Sequence, residues 1–252
     1  MDNNFICGRN CVKEAIKSQR NISCIFIDKR VKDKKCSISP ILSMAKESGI
    51  PIKPVDAKAL YNKSQTVNHQ GIVALVERYK YCSVEDILEV AKEKSEPPFI
   101  VLADGIEDPH NLGAIIRTAE CAGVHGVIIP KHNCVGITSA VEKTAVGALE
   151  HIKVAKVTNL VRTIGDLKKV GLWVYCADMD GQTYWSFDYT GPVALVVGSE
   201  GMGVSHLVKG SCDFVATLPM KGHISSLNAS VAAGILMYEI CKTRTLKNKP
   251  IT

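Results

Sequence analysis

Five short apolar runs in the carboxy-terminal part of the chain constrain its fold more than any other feature. The runs are Phe99–Asp104, Gly126–Ile129, Leu172–Cys176, Val193–Val197 and Phe214–Leu218. Continuous apolar runs of this length are typical of strands that are buried on both faces of a parallel sheet. Helical patterns separate most of the runs, so we predict an α/β domain in which helices cover both faces of a parallel sheet.

The first third of the chain alternates in the same way on a smaller scale. Apolar periodicity predicts two helices and three strands, over residues 10–18 and 40–47 and over residues 24–28, 50–55 and 71–76 respectively. Asp56 is expected to cap a further short helix. A charged stretch that ends in two prolines then predicts a linker with one short helix. The expected organisation is a small α/β domain over 1–78, a linker over 79–98 and the parallel-sheet domain over 99–245.

Composition sets limits on the class of protein. Hydrophobic residues make up 46% of the chain, which is enough for a sizeable core. No apolar run reaches membrane-spanning length, and the amino terminus lacks a signal-peptide pattern. The ten cysteines are scattered singly without a C-x-x-C pair. We therefore expect a cytoplasmic protein with reduced cysteines, no metal site and no membrane partner.

The positive charge is confined to one part of the chain. Residues 1–80 hold 15 Lys and Arg against 7 Asp and Glu, a net charge of +8, whereas the remainder holds 16 against 18. A cluster lies at Lys29, Arg30, Lys32, Lys34 and Lys35. This asymmetry fits a phosphate-binding module attached to a neutral body. It fits a solvated lysine-rich surface equally well, so charge alone does not choose between them.

A first motif spans residues 108–118. Asn111 is predicted to cap a helix whose buried stripe contains Leu112, Ile115, Ile116 and Ala119. Arg117 falls opposite that stripe, because each helical residue advances by about 100°. Taken by itself, this pattern favours a surface arginine paired with Glu120.

A second motif is the glycine loop that follows the run Val193–Val197. Gly198, Gly201 and Gly203 form G-x-x-G-x-G, the reverse of the dinucleotide fingerprint, and no acidic residue follows at the usual distance. A nicotinamide-dependent dehydrogenase is therefore a remote alternative. A plain turn would explain the glycines, but Glu200 inside the loop can bind a positively charged group.

A third motif changes character halfway along residues 218–234. Pro219 and Gly222 indicate a turn, and Ser225, Ser226 and Asn228 precede an apolar run that is rich in alanine. A loop that leads into a helix amino terminus offers free backbone donors to a ligand. Ser226 and Asn228 are candidate functional residues, although either can simply cap the helix.

Together the three motifs resemble the signature of the SpoU (TrmH) family of RNA ribose 2′-O-methyltransferases, within the SPOUT superfamily. The first matches N-x-G-x-x-x-R at residues 111–117, the second matches G-[ST]-E-G at residues 198–201, and the third matches P-M-x-G-x-x-S-S-L-N-x-S at residues 219–230. The resemblance extends upstream to residues 68–74, which are similar to the substrate-binding domain of the family. It covers nearly the whole chain.

The resemblance implies a parallel sheet with a deep trefoil knot, S-adenosylmethionine as cofactor, RNA as substrate and a homodimer that does not bind DNA. The functional side chains that it implies are Asn111, Arg117, Glu200, Ser226 and Asn228. The cofactor contacts that it implies are Val197, Gly198, Gly203, Leu218, Met220 and Leu227. RNA contacts are expected from Lys29, Arg30, Lys32, Lys34, Lys35, His69 and Gln70, unless the last two only complete a turn.

The expected activity is methylation of a ribose 2′-hydroxyl in RNA, with a guanosine of large-subunit (23S) ribosomal RNA as the preferred substrate. A transfer-RNA ribose methyltransferase shares the same motifs and is the near alternative. A non-catalytic RNA-binding assembly factor is the alternative from another class, and the intact motif side chains argue against it. Arg117 is the proton acceptor proposed for the family. A guanidinium stays charged, so we favour a clamp on the phosphate and the developing alkoxide.

Overall fold

The computed structural model describes residues 3–30, 38–66 and 68–247. The predicted RNA contacts Lys32, Lys34 and Lys35 lie outside the described residues. The chain divides into two compact units. The smaller unit contains Met1–Lys80 and Ile137–His151, and the larger contains Tyr81–Gly136 and Ile152–Thr252.

The smaller unit is built on a four-stranded sheet of order β1-β4-β2-β3, in which only β2 and β3 run parallel. Its strands are β1 (Asn3–Cys7), β2 (Ile22–Asp28), β3 (Ile52–Val55) and β4 (Ile72–Glu77), and its first helices are α1 (Arg9–Lys17), α2 (Ser39–Glu47) and α3 (Ala57–Ser64). These elements agree with the predicted ones to within a few residues. The sequence did not indicate β1, because this short edge strand begins with two asparagines.

The two faces of this sheet are covered to different extents. Ile6, Ile25 and Ala74 share one face and lie in the buried core with residues of α1 and α2. On the other face, α3 packs Leu60 against Cys7 and Val73. The side chain of Asp56 accepts a hydrogen bond of 2.7 Å from the backbone N–H of Ala59, so the predicted cap of α3 is confirmed.

A segment distant in sequence completes the smaller unit. Residues 137–151 contain α6 (Ser139–Ala145) and a short 3-10 turn, and Arg20 of this unit forms ion pairs of 3.0 Å with Glu142 and 2.8 Å with Glu150. The sequence placed these residues in the domain over 99–245. The structure groups them with the smaller unit, because their partners lie more than a hundred residues away and leave no local pattern.

The larger unit contains a six-stranded sheet of order β10-β8-β9-β5-β6-β7 in which all neighbours are parallel. Its strands are β5 (Phe99–Ala103), β6 (Gly126–Pro130), β7 (Lys153–Val157), β8 (Trp173–Thr183), β9 (Val193–Val197) and β10 (Phe214–Thr217). Its helices are α4 (Val84–Glu93), α5 (Pro109–Cys121), α7 (Leu160–Lys169), α8 (His206–Lys209) and α9 (Ala229–Lys247). All five predicted apolar runs are strands. Edge strand β7 escaped prediction, because Lys153 and Lys156 interrupt its apolar character.

The predicted linker over 79–98 is largely packed structure. Helix α4 within it begins with a capping box between Ser83 and Asp86. Its Ile87 is fully buried in the core of the larger unit, and a Cβ built on Gly126 would lie only 2.6 Å from that side chain. The charged surface of α4 suggested a linker, while its apolar side at Ile87 and Ala91 attaches it to the sheet.

Helix α9 is fixed at its carboxy-terminal end by a half-buried arginine. Arg244 donates hydrogen bonds to the carbonyls of Pro97, Pro98, Tyr189 and Gly191 at 2.6–3.3 Å. Burial lowers the pKa of its guanidinium to about 10, so the group remains charged at neutral pH. Among the described residues, no helix is both long and apolar enough to cross a lipid bilayer.

Candidate active site

The glycine loop after β9 is a closed turn that presents Glu200. Backbone hydrogen bonds of 3.1 and 3.0 Å join Ser199 and Gly203 in both directions. Gly201 and Gly203 have φ of +86° and +64°, which glycine adopts without strain. A Cβ on Gly198 would lie 2.0 Å from the backbone of Gly203, so only glycine fits at that position. The glycines therefore allow the tight closure that holds Glu200 at the tip.

Asn228 joins this loop to the start of α9. Its Oδ1 accepts hydrogen bonds from the backbone N–H groups of Ser230 at 3.0 Å and Val231 at 3.3 Å, which is an N-cap arrangement. With Oδ1 occupied in this way, its Nδ2 donates to Oδ1 of Asn111 at 2.9 Å and to the carboxylate of Glu200. One amide thus caps the helix and connects all three sequence motifs.

The position of Asn111 corrects the predicted start of α5. Asp108 is the N-cap, since its carboxylate accepts from the N–H groups of His110 and Asn111, and the helix begins at Pro109. Asn111 lies inside the first turn, which leaves its own side chain available to accept from Asn228. The predicted buried stripe of α5 is confirmed, as is the exposure of Arg117.

A cavity of about 360 Å³ lies on one side of the glycine loop. All six residues predicted to contact the cofactor line it: Val197, Gly198, Gly203, Leu218, Met220 and Leu227. Ser226 and Glu200 also line it. The sequence did not indicate a contribution from Ala177, Asp178 and Met179, because it gave no sign that β8 extends past the cavity. The lining is apolar with a few polar groups, which is typical of sites for small organic ligands.

A second cavity of about 1000 Å³ lies on the other side of Glu200. Its lining is strongly acidic and includes Asp104, Glu107, Asp108, Asp178, Asp180 and Glu200. Lys209 also lines this cavity and forms ion pairs with Asp178 at 3.0 Å and Asp180 at 3.8 Å. Asn111 and Glu200 therefore face a wide acidic cavity next to the smaller apolar one.

Arg117 stands apart from the other predicted functional side chains. It is exposed on α5, six residues after Asn111, and is not among the residues that line the two cavities. Asn111, Glu200, Ser226 and Asn228 are brought together, the first three as cavity-lining residues and Asn228 through its hydrogen bonds. Within one chain, Arg117 is the one predicted functional side chain among the described residues that lies outside this group.

The predicted RNA contacts that the structure describes lie at one edge of the smaller unit. Arg30 pairs with Asp28 at 2.8 Å and lowers the pKa of that carboxyl through its side-chain hydrogen bonds. The backbone N–H of Asp28 donates to the carbonyl of Gly71, beside His69 and Gln70.

Two of these contacts also have structural roles. His69 Nδ1 accepts from the N–H of Gly71 at 3.1 Å. Gln70 Oε1 accepts from the N–H of Arg9 at 2.9 Å and so caps α1, whose N-cap residue Gly8 has no side chain to do so. Both residues therefore take part in local backbone structure, and their contacts with RNA stay a prediction, while Lys29 remains exposed at this edge.

Comparison with known protein families accounts for both parts of the chain. Residues 98–238 match the SpoU rRNA Methylase family, and residues 5–82 match the family described as RNA 2′-O ribose methyltransferase substrate binding. This chain therefore belongs to the SpoU (TrmH) family of RNA methyltransferases, which use S-adenosylmethionine.

Full-length relatives support this assignment. The YacO protein of Bacillus subtilis, assigned to the TrmH family of tRNA/rRNA methyltransferases, is 44% identical over 241 residues, which are 95% of this chain and 96% of that protein. A Staphylococcus haemolyticus protein with the same assignment is 44% identical over 245 residues, or 97% of each chain.

Solved structures show the same fold. The SpoU methyltransferase AviRb of Streptomyces viridochromogenes, crystallised with AdoMet, has a TM-score of 0.80 at 22% identity over 96% of this chain and 91% of that chain. An AdoMet-bound rRNA methyltransferase of Sinorhizobium meliloti has a TM-score of 0.76 at 23% identity, over 95% of this chain and 87% of that one.

Proposed function

We propose that this protein transfers a methyl group from S-adenosylmethionine to a ribose 2′-hydroxyl of RNA, with a guanosine of 23S ribosomal RNA as substrate. The observation that carries the proposal is the hydrogen-bonded group of Asn111, Glu200 and Asn228 at the junction of two cavities. We base this choice of substrate on the resemblance of the motifs to those of the bacterial enzyme RlmB, which methylates a guanosine ribose of large-subunit RNA.

The smaller cavity suits the cofactor. Its volume of about 360 Å³ falls within the range of small-molecule sites, and Leu218, Met220 and Leu227 provide apolar contacts. S-adenosylmethionine, when bound, supplies a methyl group on a positively charged sulfonium. The carboxylate of Glu200 is the charged side chain on this lining nearest to the Asn228 amide, and it favours a cationic ligand.

The larger cavity suits the target nucleotide. Its carboxylates are hydrogen-bond acceptors, and the Watson–Crick edge of guanine presents an N1–H and an N2 amino donor that one carboxylate can accept together. This lining supports guanosine over a base that offers acceptors on that edge. Glu107 is exposed at the cavity and is the first residue to test in this role.

The chain's own groups have a limited task in this reaction. The ribose hydroxyl must be held in line with the methyl group and must lose a proton. Asn111 and Asn228 fix each other's amides and can orient the ribose, while Glu200 accepts from Asn228. We assign to Arg117 the clamp on the neighbouring phosphate and the stabilisation of the developing alkoxide.

A homodimer would bring Arg117 to a site that it does not reach within one chain. Helix α9 supports this, because it exposes an apolar stripe of Val231, Ile235 and Tyr238 on the side away from the core.

We also propose the deep trefoil knot of the family, in which α9 passes through a loop of the larger unit. Helix α9 packs against α5 in the larger unit, as the contact between Gly234 and Thr118 shows.

Mapping of ribose methylation tests the substrate. Ribosomal and transfer RNA from cells with and without the gene are compared by mass spectrometry. Loss of one methylated guanosine from 23S RNA is the expected result. Loss of a transfer-RNA methyl group would favour the alternative substrate. Unchanged RNA would favour the assembly factor.

Substitution of Arg117 tests the chemistry. Arg117→Ala should abolish methyl transfer and leave the affinity for S-adenosylmethionine unchanged in calorimetry, because Arg117 lies outside the smaller cavity. Arg162→Ala is the matched control, since Arg162 is also exposed, on α7. Mixing Arg117→Ala subunits with Gly198→Trp subunits should restore part of the activity if Arg117 acts across a dimer. Normal turnover by Arg117→Ala would refute the assignment.

A further inference from the structure

The less covered face of the small sheet carries a pair of aromatic rings. Strand register places Phe5 opposite Leu75 and Phe26 opposite Val73. Because side chains alternate along a strand, these residues share the face that Ile6 and Ile25 do not use. The two rings lie 6.3 Å apart at an interplanar angle of 60°.

These rings are only partly buried. Helix α3 covers Cys7 and Val73 of this face, which are buried, whereas Phe5 and Phe26 pack against them and, like Leu75, keep part of their surface exposed. On the opposite face Ile25 and Ala74 are completely buried. The sheet therefore has one closed face and one face on which aromatic surface remains accessible.

Two lysines border the rings. The ammonium of Lys63 lies 4.3 Å from the ring centroid of Phe26 and 5.3 Å from that of Phe5. Lys53 on β3 is exposed and pairs in register with Phe26. Aromatic rings flanked by cations are the combination that binds single-stranded nucleic acid, because bases stack on rings and lysines contact phosphates. The net charge of +8 over residues 1–80 complements a polyanion.

We propose that Phe5 and Phe26 form a stacking site for an unpaired base of the RNA substrate, and that Lys53 and Lys63 bind the phosphates on either side of it. The inference rests on the proposed RNA substrate and adds to it the recognition of single-stranded RNA. Lys63 occupies the ring faces through a flexible side chain, so it can yield them to a base and turn to a phosphate.

The binding test uses the full-length protein and a short single-stranded RNA of mixed sequence, with the duplex of the same sequence as reference. The double variant Phe5→Leu/Phe26→Leu keeps the apolar volume but loses the rings. It should bind the single strand about tenfold more weakly, with little change for the duplex, because a stacked base contributes a factor of this order. The double variant Phe5→Tyr/Phe26→Tyr should restore the affinity.

Matched controls separate this face from the rest of the unit. Tyr61→Leu removes an exposed aromatic residue from α3 outside the pair and should leave the affinity unchanged. Lys53→Gln and Lys63→Gln should each lower the slope of log K for RNA binding against the logarithm of salt concentration by about one, because each removes one phosphate contact. Lys46→Gln, on helix α2 of the opposite face, should have a smaller effect.

Each outcome decides the proposal. A folded Phe5→Leu/Phe26→Leu variant that binds single-stranded RNA with normal affinity would overturn the proposal. The same holds if sedimentation shows that this variant has lost self-association, because the face would then bind a second copy of the chain. If the Leu variant does not fold, ultraviolet crosslinking of the wild-type protein replaces it, and crosslinks that miss both phenylalanines refute the site. If RNA binding depends on the two rings but cells without the gene lose no methyl group from their RNA, the stacking site is supported and the proposed function is rejected.

Discussion

The two units each contain a polar network, and the two networks differ in what surrounds them. In the larger unit, Asn228 connects Asn111 and Glu200 at the edge of two cavities. In the smaller unit, Arg20 connects Glu142 and Glu150, and the side chains of these three residues are only 13%, 3% and 11% exposed. The first network is open to a ligand, whereas the second is enclosed.

This difference distinguishes a network that can bind a ligand from one that only holds the fold together. The open network keeps Glu200 and Asn111 at cavity walls, where further hydrogen bonds can go to a substrate. In the enclosed network even a carboxylate oxygen, Oε2 of Glu142, has no hydrogen-bond partner within the described part of the chain. Burial raises the pKa of Glu142 despite the guanidinium beside it. The enclosed group therefore joins distant segments of the chain at an electrostatic cost.

The largest effect is expected from Arg20→Ala. Removing the cation leaves two buried carboxylates without compensation, which should lower the free energy of unfolding by about 3 kcal/mol. Urea denaturation measures this. The affinity for S-adenosylmethionine, whose proposed site lies wholly in the larger unit, should be unchanged under native conditions. Lys46→Ala, at an exposed lysine of the same unit, is the control. A loss below about 0.5 kcal/mol would mean that the enclosed network contributes no more than a surface pair.

The second prediction separates the two roles of Asn228. Asn228→Asp keeps an acceptor for the N–H groups of Ser230 and Val231 but cannot donate to Asn111 or Glu200. Its helix should remain stable while kcat/KM falls about 100-fold, the usual effect of losing one positioned donor.

Asn228→Ala removes the cap as well and should also lower stability by about 1 kcal/mol. Asn159→Ala removes the cap of α7, where Asn159 accepts from Arg162, and should lower stability alone. Near-normal activity of Asn228→Asp would show that the amide is only a cap.

The smallest effect concerns pH. Because the folded protein holds the pKa of Glu142 above its usual 4.5, it binds this proton more tightly than the unfolded chain does. The stabilisation that comes from protonated Glu142 is complete below pH 4.5 and is lost as the pH rises through the raised pKa. Glu142→Gln imitates the protonated form, so its stability relative to the wild type should increase as the pH rises over that window.

Urea midpoints of both proteins between pH 4 and pH 8 provide the measurement for this prediction. Glu89→Gln, at an exposed carboxylate of α4, should give a constant difference. A relative stability of Glu142→Gln that falls with rising pH would show that the ion pair with Arg20 outweighs burial.

The enclosed network also changes how the amino-terminal unit can be tested. Deletion of residues 1–80 follows from the predicted domain boundary as a way to remove RNA binding. That deletion would take away Arg20 and expose the buried side chains of Val141 and Leu149 in the remaining segment. Single substitutions at the basic edge, such as Lys29→Glu, are the better test, with reduced salt dependence of RNA binding as the expected result.

Local patterns predicted much of the fold and part of the lining of the cavity of about 360 Å³. The apolar runs gave five of the six parallel strands, and the six residues predicted to contact the cofactor all line that cavity. Strands β1 and β7 were missed because polar residues interrupt them at the edges of their sheets. The short helix predicted within the linker is α4, and its charged surface gave no sign that Ile87 and Ala91 are buried.

The sequence by itself determined the alternation of strands and helices, the closure of the glycine loop and the family, because each of these depends on neighbouring residues. The tertiary structure alone decided that Asn228 binds Asn111 and Glu200, and that residues 137–151 complete the smaller unit through Arg20. It also decided that Gln70 caps α1 and that Phe5 and Phe26 meet on one face. These contacts join residues far apart in the chain, and their geometry follows from packing that no local pattern records.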